Sequence, residues 1–346
     1  MDVYYMQEKT LKENLMEKYK GVPGAFEPIE CLKPQKTMVN SWFYIGRCSS
    51  NGHNLTFLLH FMCLSFKNTA GIMDVVISVL DKTTGFYESC DELKKMVHPV
   101  KVRKNNVEIV LKKAAMSGSL DGKIIFSARL KEASFDVEVS PIGDVIFNAG
   151  TGYFPLLTNK QNYQYSCPFM KMNGTITIKG KEYAVEKGDL WYDRQWNSPE
   201  LSALMNIKEY DPKWLWHGIR LNNDVILSIW ELFQKDGTDF CFATVLNKDK
   251  TQSLYYVKPL IKYAGEPWHS DITGQNYPTK WRIIIPDMDA DLTVICTPKE
   301  QEIISEMATL NKYEAESSVE GVIGKESVSG VACVEILGNW KNTFDF

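Results

Sequence analysis

The segment Gly188-Asp-Leu-Trp-Tyr-Asp-Arg-Gln-Trp196 decides how this chain is interpreted. Between Trp191 and Trp196 it combines three aromatic rings with one carboxylate and one guanidinium, which is unusual for a surface loop or a plain core strand. In an extended strand, side chains alternate between the two faces. One face would carry Trp191, Asp193 and Gln195, and the other would carry Tyr192, Arg194 and Trp196. The first face is a candidate pocket wall; alternatively, Asp193 and Arg194 form a buried network that secures a strand end.

Strand patterns extend from this segment in both directions. Apolar or alternating runs separated by turn residues predict strands over most of the chain. The predicted strands include residues 55–66, 71–80, 107–112, 123–130, 135–139, 175–178, 183–185, 214–221, 225–233, 239–246, 253–258, 280–285, 291–296 and 331–337. Many strands with tight turns and few helices predict an all-β sandwich or barrel class.

The only clear helical signal near the start lies at residues 7–19, where Thr10 and Glu13 have the spacing of a capping box. A break in the strand pattern falls near residues 197–212. We therefore predict a helical segment over residues 1–24 and two β-domains over residues 25–200 and 201–346.

Composition limits the classes of function. The chain has 346 residues, of which 44% are hydrophobic and 24% charged, with a net charge of −4, as in an ordinary soluble globular protein. No basic block is interleaved with aromatics, which argues against a nucleic-acid partner. The start of the chain has no signal-peptide pattern, and the longest apolar run, residues 55–66, is too short to span a bilayer. We expect a cytoplasmic protein with reduced cysteines and no membrane span, and leave a homodimer open.

Recognised catalytic and metal-binding motifs are absent from the sequence. The five histidines and eight cysteines show no ligand spacing, and no phosphate loop, dinucleotide fingerprint or nucleophile elbow occurs. We therefore predict no metal site.

The remaining candidates are polar residues on apolar strand faces. Asp193 is the strongest, because a carboxyl group walled by indole and apolar surface has its pKa raised and can donate a proton. Glu231 is either a pocket acid or a paired carboxylate. Either His217 or Arg220 points inward; Arg220 could lie over an indole, whereas His217, like His60, is typical of a core histidine.

Five segments in the same order resemble one family. They are Trp42-Phe-Tyr-Ile-Gly46, Tyr165-Ser166 with Pro168, Gly188 to Trp196, Trp214-Leu-Trp216, and a closing pair of Tyr313-Glu314 with Gly330 to Gly338 containing Glu335. Together they resemble the lipocalin-like superfamily of carotenoid 1,2-hydratase and AttH-type proteins. Kievitone hydratase and the decalin-forming Diels–Alderases belong to the same superfamily.

This resemblance implies two lipocalin-like β-domains with a pocket in or between them, a large apolar substrate, and neither a metal nor an organic cofactor. Asp193 falls on the aspartate that hydratase members use as an acid, and Trp191 on a position that can be Tyr. From the motifs and their strand faces we expect a substrate site formed by Trp42, Tyr44, Tyr165, Trp191, Gln195, Trp214, Trp216, His217 and Arg220, with Asp193 and Glu231 as catalytic candidates.

Three functions fit this inventory. The first is a cyclase that folds a polyene or a terpenoid or polyketide intermediate and steers a [4+2]-type cyclisation by shape and hydrogen bonding. The second is a hydratase or dehydratase of an isoprenoid double bond with Asp193 as general acid. The third is a non-catalytic carrier of apolar ligands. The aromatic-rich composition favours the first.

Overall fold

The computed structural model describes residues 32–66, 70–96, 100–104, 106–141, 144–156, 159–185, 187–198, 213–233, 239–306 and 310–342. The helix predicted at residues 7–19 lies outside these ranges. Within them, helical structure is limited to three short 3₁₀ turns, Asn148–Gly150, Leu260–Tyr263 and Pro286–Met288. No helix in the described ranges is long and apolar enough to cross a membrane.

The first sheet has 14 strands. They are β1 (Val39–Ser50), β2 (His53–Phe66), β3 (Ala70–Asp81), β4 (Phe86–Met96), β5 (Val100–Arg103), β6 (Asn106–Val110), β7 (Ala114–Gly118), β8 (Ile124–Arg129), β9 (Ala133–Pro141), β10 (Ile146–Phe147), β11 (Tyr153–Leu156), β12 (Asn159–Ile178), β13 (Lys181–Ala184) and β14 (Lys187–Asn197).

The second sheet has ten strands, and a separate hairpin is formed by β20 and β21. The strands of this half are β15 (Trp214–Leu221), β16 (Ile226–Phe233), β17 (Asp239–Leu246), β18 (Gln252–Tyr256), β19 (Ala264–Gly265), β20 (Trp268–His269), β21 (Asn276–Tyr277), β22 (Lys280–Ile285), β23 (Ala290–Cys296), β24 (Glu302–Ile303), β25 (Lys312–Ile323) and β26 (Glu326–Leu337).

Both sheets share one topological feature: their first and last strands are neighbours in the middle of the sheet. The first sheet runs β4-β3-β2-β1-β14-β12-β9-β8-β7-β6-β5, and the second runs β18-β17-β16-β15-β26-β25-β23-β22-β19. All strand pairs are antiparallel. These two curled sheets confirm the predicted all-β class with two β units, whereas the domain boundaries at 24 and 200 stay predictions.

Most strands were visible in the sequence, and a few were missed. The predictions for 214–221, 239–246 and 280–285 coincide with β15, β17 and β22. The prediction omitted β4, β7 and β25, and found only the end of the long β12. In β25 both faces are largely buried, but one of them carries Lys312, Glu314 and Glu316, so the apolar alternation is weak.

Each sheet encloses its own apolar core, and a third apolar cluster lies between the sheets. In the first core Phe57 stacks on Phe135 with ring centroids 4.2 Å apart. In the second core Trp281 packs against the ring of His217. The third cluster joins residues of both sheets, among them Phe43 and Trp216, so the outward faces of the two curled sheets pack against each other.

Arg194 is a fully buried cation inside the first core. Its guanidinium carbon lies 4.3 Å from the ring centroid of Trp42 and 5.1 Å from that of Trp196. Its nitrogens donate to the Asn40 side chain at 2.6 Å and to the Ser41 carbonyl oxygen at 3.1 Å. The planar guanidinium thus ties β14 to β1 by stacking and by hydrogen bonds at the same time.

Replacement of Arg194 by Lys should therefore destabilise the fold. Lysine keeps the charge but loses the planar stacking and several donors, so we expect the free energy of unfolding to fall by about 2–4 kcal/mol. Urea unfolding followed by tryptophan fluorescence measures this. The matched control is Arg129→Lys, whose ion pair with Asp136 is exposed and should change stability by less than about 1 kcal/mol. Equal effects of the two changes would contradict a special role for Arg194.

Candidate active site between the two sheets

Strand β14 presents its two faces to two different environments, which confirms the predicted alternation. Trp191 faces the second sheet, where its ring lies 5.7 Å from that of Trp216. Asp193 is on the same face, because its carboxylate binds the Trp191 indole. Tyr192 and Arg194 lie in or against the first core. Asp193 and Arg194 are thus on opposite faces of the sheet.

Asp193 is almost completely removed from solvent, with 6% of its surface exposed. Its Oδ1 accepts a hydrogen bond of 2.7 Å from the Trp191 Nε1, and its Oδ2 accepts one of 3.2 Å from the Gln164 Nε2. Both carboxyl oxygens are therefore fixed in direction by neighbouring side chains. No cation is among these donors.

The environment of Asp193 keeps the acid protonated up to neutral pH. Burial raises its pKa from 3.8 to about 7, because the charged form loses its hydration. Hydrogen bonds from Ser166, Trp191 and Gln164 oppose this and lower the pKa, while the nearby carboxylate of Glu335 raises it further. Asp193 can therefore both donate and accept a proton near pH 7.

Aromatic rings form the wall beside Asp193. Trp216 is at their centre: its ring lies 5.7 Å from Phe43, 5.7 Å from Trp191 and 6.3 Å from Trp230. Phe154 continues the wall at 5.6 Å from Trp230. The contacts of Trp216 with Phe43 and Trp191 are edge-on, and the face of an aromatic ring attracts a positive charge.

A chain of buried hydrogen bonds crosses the interface and ends at Asp193. The Trp216 Nε1 donates to the Ser228 Oγ at 3.0 Å, and this hydroxyl donates to the Asn148 Oδ1 at 2.6 Å. The Asn148 Nδ2 donates to the Ser166 Oγ at 3.1 Å, and Ser166 is a hydrogen-bond partner of Asp193. The chain fixes the acid relative to the aromatic wall on the other sheet.

The turn that carries Asn148 adopts a strained backbone. Ala149 has φ of 58° and ψ of 25°, in the left-handed region that a residue with a Cβ avoids. Its N–H donates to the Thr244 Oγ1 of the second sheet at 2.8 Å, which holds this conformation in place. Strain held by a specific contact is common at functional sites.

A second acidic group lies on the facing sheet. Glu314 and Glu335 are direct cross-strand neighbours on β25 and β26, and the Trp214 Nε1 donates to Glu335. Burial, and next the charge of Glu335, raise the pKa of Glu314 well above its ordinary value. Burial also raises the pKa of Glu335, although its hydrogen bond with Trp214 and the charge of Lys312 limit the effect.

Lys312 provides a buried positive charge next to this pair. Its Nζ lies 3.8 Å from the Asp74 Oδ2 and 4.0 Å from the Asp91 Oδ2, both on the first sheet. Burial alone would lower the pKa of Lys312, but Asp74 and Asp91 raise it above its ordinary value. The ion pairs link β25 to β3 and β4 across the interface.

The strand register arranges the site as two facing rows of side chains. The row on the first sheet is Ser166, Asp193, Phe43 and His60. The row on the second sheet is Trp230, Trp216, Glu335 and Glu314. Phe43 touches Trp216, so the two rows face each other. His60 and Glu335 within these rows stay partly exposed and mark the accessible side of the interface.

The structure brings together only part of the predicted site. Trp191, Trp214 and Trp216 lie at the interface with Asp193. Gln195, on the same face of β14, donates to the Asn162 Oδ1 at 2.8 Å.

Arg220 is also at the interface, with a different partner from the predicted indole. It pairs with Asp189, donates to the Pro168 carbonyl oxygen at 3.2 Å, and lies 5.3 Å from the ring of Phe169. The Phe169 ring therefore takes the predicted cation–π position.

Three predicted substrate residues point away from Asp193. Trp42, Tyr44 and Tyr165 are buried in the first core, on the other face of the sheet. Tyr44 stacks on Tyr192 at 4.6 Å, and the Trp42 Nε1 donates to the Leu32 carbonyl oxygen at 2.8 Å. Side chains alternate between the two faces of a strand, and these three residues occupy the face opposite to that of Asp193 and Phe43.

His217 and Glu231 lie on the inner face of the second sheet. His217 is fully buried, burial lowers its pKa to about 3, and its ring meets Trp281 edge-on at 4.9 Å. Glu231 accepts a hydrogen bond of 2.9 Å from the Ile261 N–H. The structure therefore does not bring Glu231 to Asp193, because the second sheet separates the two groups.

Sequence reasoning missed several members of the site. Gln164, Asn148 and Ser228 are polar residues without charge and gave no signal, and Ser166 was noted only as part of a motif. Glu314 and Glu335 attracted attention only as motif residues. The signal that could have found them is the set of charges at alternate positions of β25, Lys312, Glu314 and Glu316, beside the apolar Tyr313 and Ala315. Among the described residues, no three His, Cys, Asp or Glu side chains form a group that could hold a metal ion.

Comparisons with known proteins show which proteins are similar to this chain. The family described as AttH-like matches residues 64–339. Over 170 residues the chain is 27% identical to the dehydratase asqC of Emericella nidulans, an alignment that covers 46% of this chain and 45% of that protein. The chain thus matches less than half of the length of this relative.

Solved structures share the fold over almost the whole chain. Kievitone hydratase from Nectria haematococca superposes with a TM-score of 0.75 at 18% identity, covering 93% of this chain and 95% of that one. A Nitrosomonas europaea protein described as an AttH superposes with a TM-score of 0.76 at 17% identity, covering 92% and 98%. CghA with Sch210972 gives a TM-score of 0.59 at 10% identity, covering 88% and 89%. At these identities the likeness shows the fold alone.

The raised pKa of Asp193 predicts a pH-dependent cost to stability. Its folded-state pKa lies above the unfolded value, so the folded state binds more protons between the two values and stability falls as the pH rises towards 7. The Asp193→Asn variant lacks this pH-dependent contribution to the free energy of unfolding. Relative to wild type, the variant should gain about 2–3 kcal/mol of unfolding free energy between about pH 5 and about pH 8.

Urea unfolding at both pH values measures this gain. Asp249→Asn is the control, because Asp249 is exposed and a hydrogen bond with Thr251 lowers its pKa. The same pH-dependent gain in both variants would show that Asp193 is not its source.

Proposed function

Because this chain belongs to the AttH-like family, we propose that it is a cofactor-independent hydro-lyase that removes water from, or adds it to, a double bond of an apolar isoprenoid-like substrate. The observation that carries the proposal is Asp193: a buried carboxyl group, protonated up to about pH 7, held in direction by Trp191 and Gln164 beside an aromatic wall. An acid with this pKa can give up and recover its proton in each cycle.

In the dehydration direction, Asp193 protonates the leaving hydroxyl group, the C–O bond breaks to release water, and the neighbouring carbon loses a proton so that its C–H electrons form the double bond. In the hydration direction, the same proton goes to an alkene carbon, and water adds to the neighbouring carbon and loses a proton to give the alcohol. Both directions develop positive charge on a substituted carbon. The ring faces of Trp191, Trp216 and Phe43 would stabilise this charge where bulk water is excluded.

The names of two similar proteins support water chemistry. The Emericella nidulans relative is a dehydratase, and one of the structural neighbours is a hydratase. Both reactions break or form a C–O bond to water, and a general acid is sufficient to start either of them. This agreement, together with the pKa of Asp193, favours a hydro-lyase over the cyclisation that the aromatic composition favoured.

Cyclisation is a second candidate, and Trp230 is the observation that favours it. Its Nε1 is buried in the aromatic wall without a hydrogen-bond partner among the described residues. A donor of this kind could bind the carbonyl oxygen of a dienophile and lower the barrier to a [4+2] reaction. Trp230→Phe should then slow a cyclisation by about tenfold while leaving water elimination nearly unchanged.

The test of the proposal uses nerolidol, a tertiary isoprenoid alcohol, as probe. Wild-type protein should convert it to alkene with loss of one water, at a rate that falls as the pH rises above about 7, because only protonated Asp193 is active. Asp193→Asn should reduce the rate by about 100-fold or more. Gas chromatography with mass detection measures both.

Asp189→Asn is the matched control, since Asp189 lies on the same strand in an ion pair with Arg220 and should retain most of the rate. Full activity of Asp193→Asn, or an isomer of unchanged mass formed from a linear polyene, would contradict the hydro-lyase. Binding without any product would indicate a carrier.

A further inference from the structure

The carboxyl pair on the second sheet has no part in the chemistry described so far. Glu314 and Glu335 stand opposite each other on β25 and β26, where side chains of paired residues are about 5 Å apart at their Cβ atoms. Glu335 is in turn the cross-strand neighbour of Trp216. Since Trp216 touches both Phe43 and Trp191, Glu335 lies on the face of the second sheet that packs toward Asp193, and its charge acts on Asp193.

The two carboxyl groups are not equivalent. Glu335 accepts a hydrogen bond from the Trp214 indole and is partly exposed. Glu314 lies behind it with 3% of its surface exposed and interacts with the Glu335 carboxyl group. Burial raises the pKa of both groups, and since Glu314 is the less exposed of the two and lacks a donor such as the Trp214 indole, the proton resides on Glu314 and the negative charge on Glu335.

The charges around the pair favour the same assignment. Lys312, two residues from Glu314, lowers the pKa of both glutamates, whereas Asp74 and Asp91 offset part of its charge. His60 is uncharged at neutral pH, because burial and next Lys312 lower its pKa, and it contacts the Ser41 Oγ at 2.7 Å. Asp193 faces the pair from β14. These groups therefore favour a single ionised carboxylate, that of Glu335, whose negative charge is balanced by Lys312.

We propose that Glu335 is the general base of the reaction, that protonated Glu314 positions it, and that Asp193 and Glu335 act on a substrate held between the two sheets. This inference rests on the proposed function. In dehydration, Asp193 gives its proton to the leaving hydroxyl group and the C–O bond breaks. Glu335 takes a proton from the neighbouring carbon, whose C–H electrons form the double bond. Asp193 then recovers a proton from water, and Glu335 releases one.

This division of roles has a consequence for the substrate. A carboxylate removes a carbon-bound proton when the charge that develops is stabilised, either by an adjacent carbonyl group or by positive charge on the adjacent carbon. The aromatic wall beside Asp193 favours the second route, as when a tertiary hydroxyl group leaves. The substrate class is therefore a tertiary alcohol with a hydrogen on the neighbouring carbon, or the corresponding trisubstituted alkene in the reverse direction.

The first arm of the test measures nerolidol dehydration. Glu335→Gln keeps an acceptor for Trp214 but cannot take a proton, so kcat should fall by about 100-fold with little change in KM. Glu314→Gln keeps a hydrogen-bond donor and should retain about a third of the rate, whereas Glu314→Met should lose about tenfold in kcat. Glu320→Gln, an exposed position on β25, is the matched control and should behave as wild type.

The second arm uses epoxyfarnesol, a linear terpenoid epoxide, and needs no turnover. Asp193 protonates the epoxide oxygen, the ring C–O bond breaks, and a Glu335 oxygen forms an ester bond to the carbon. Peptide mass spectrometry after digestion of the labelled protein should locate the label on Glu335. The label should be absent in Glu335→Gln and unchanged in Glu320→Gln.

The outcomes separate the two ideas. Labelling of Asp193 or Glu314 instead of Glu335, or no labelling at all, overturns the assignment of Glu335 as base even if dehydration depends on Asp193. Labelling of Glu335 without any dehydration that depends on Asp193 overturns the proposed function and leaves Glu335 as the reactive carboxylate of the site. A Glu335→Gln variant that folds and keeps full kcat also rejects the base.

Discussion

The alternation of side chains along β14 is the constraint on which the rest of the structure depends. The strand cannot turn Asp193 toward the second sheet without turning Arg194 into the first core, because successive residues of a strand point in opposite directions. Arg194 uses that position to stack on Trp42 and to bind the backbone of β1. The strand that carries Asp193 is therefore anchored on its other face by Arg194, which is fully buried.

The interface between the sheets combines apolar packing with buried polar groups, and the two have opposite effects on stability. Burial of rings such as Trp216 and Phe43 stabilises the folded state, whereas burial of Asp193 and Glu314 costs hydration. The hydrogen bonds from Trp191 and Gln164 recover part of that cost and fix the direction of the carboxyl group. The indole N–H of Trp191 serves as the donor to the acid. The buried acid thus lowers the stability of the folded state locally, and the packing of the surrounding rings offsets this loss.

The sequence predicts much of this arrangement, but it does not predict which neighbour each strand face packs against. The period-2 pattern around Asp193 correctly separates Trp191 and Asp193 from Tyr192 and Arg194, and turn residues locate most strands. It cannot decide that Tyr44 faces a core while Phe43 faces the other sheet, since both faces of β1 are buried. It also cannot show that Glu335 and Asp193 face each other, because this depends on the packing of two sheets whose residues are far apart in the chain. Long-range packing was the missing information.

The central pairing of the first and last strands in each sheet has a consequence for how the molecule acquires its activity. β1 pairs with β14 across about 150 residues of chain, and β15 pairs with β26 across about 110, so these are among the last contacts that loop-closure entropy allows to form. The strands that close each sheet are the ones that carry Asp193, Trp216 and Glu335. Folding intermediates in which local hairpins are complete but the sheets are open therefore lack the site altogether. The proposed site forms only when the longest loops of both sheets have closed.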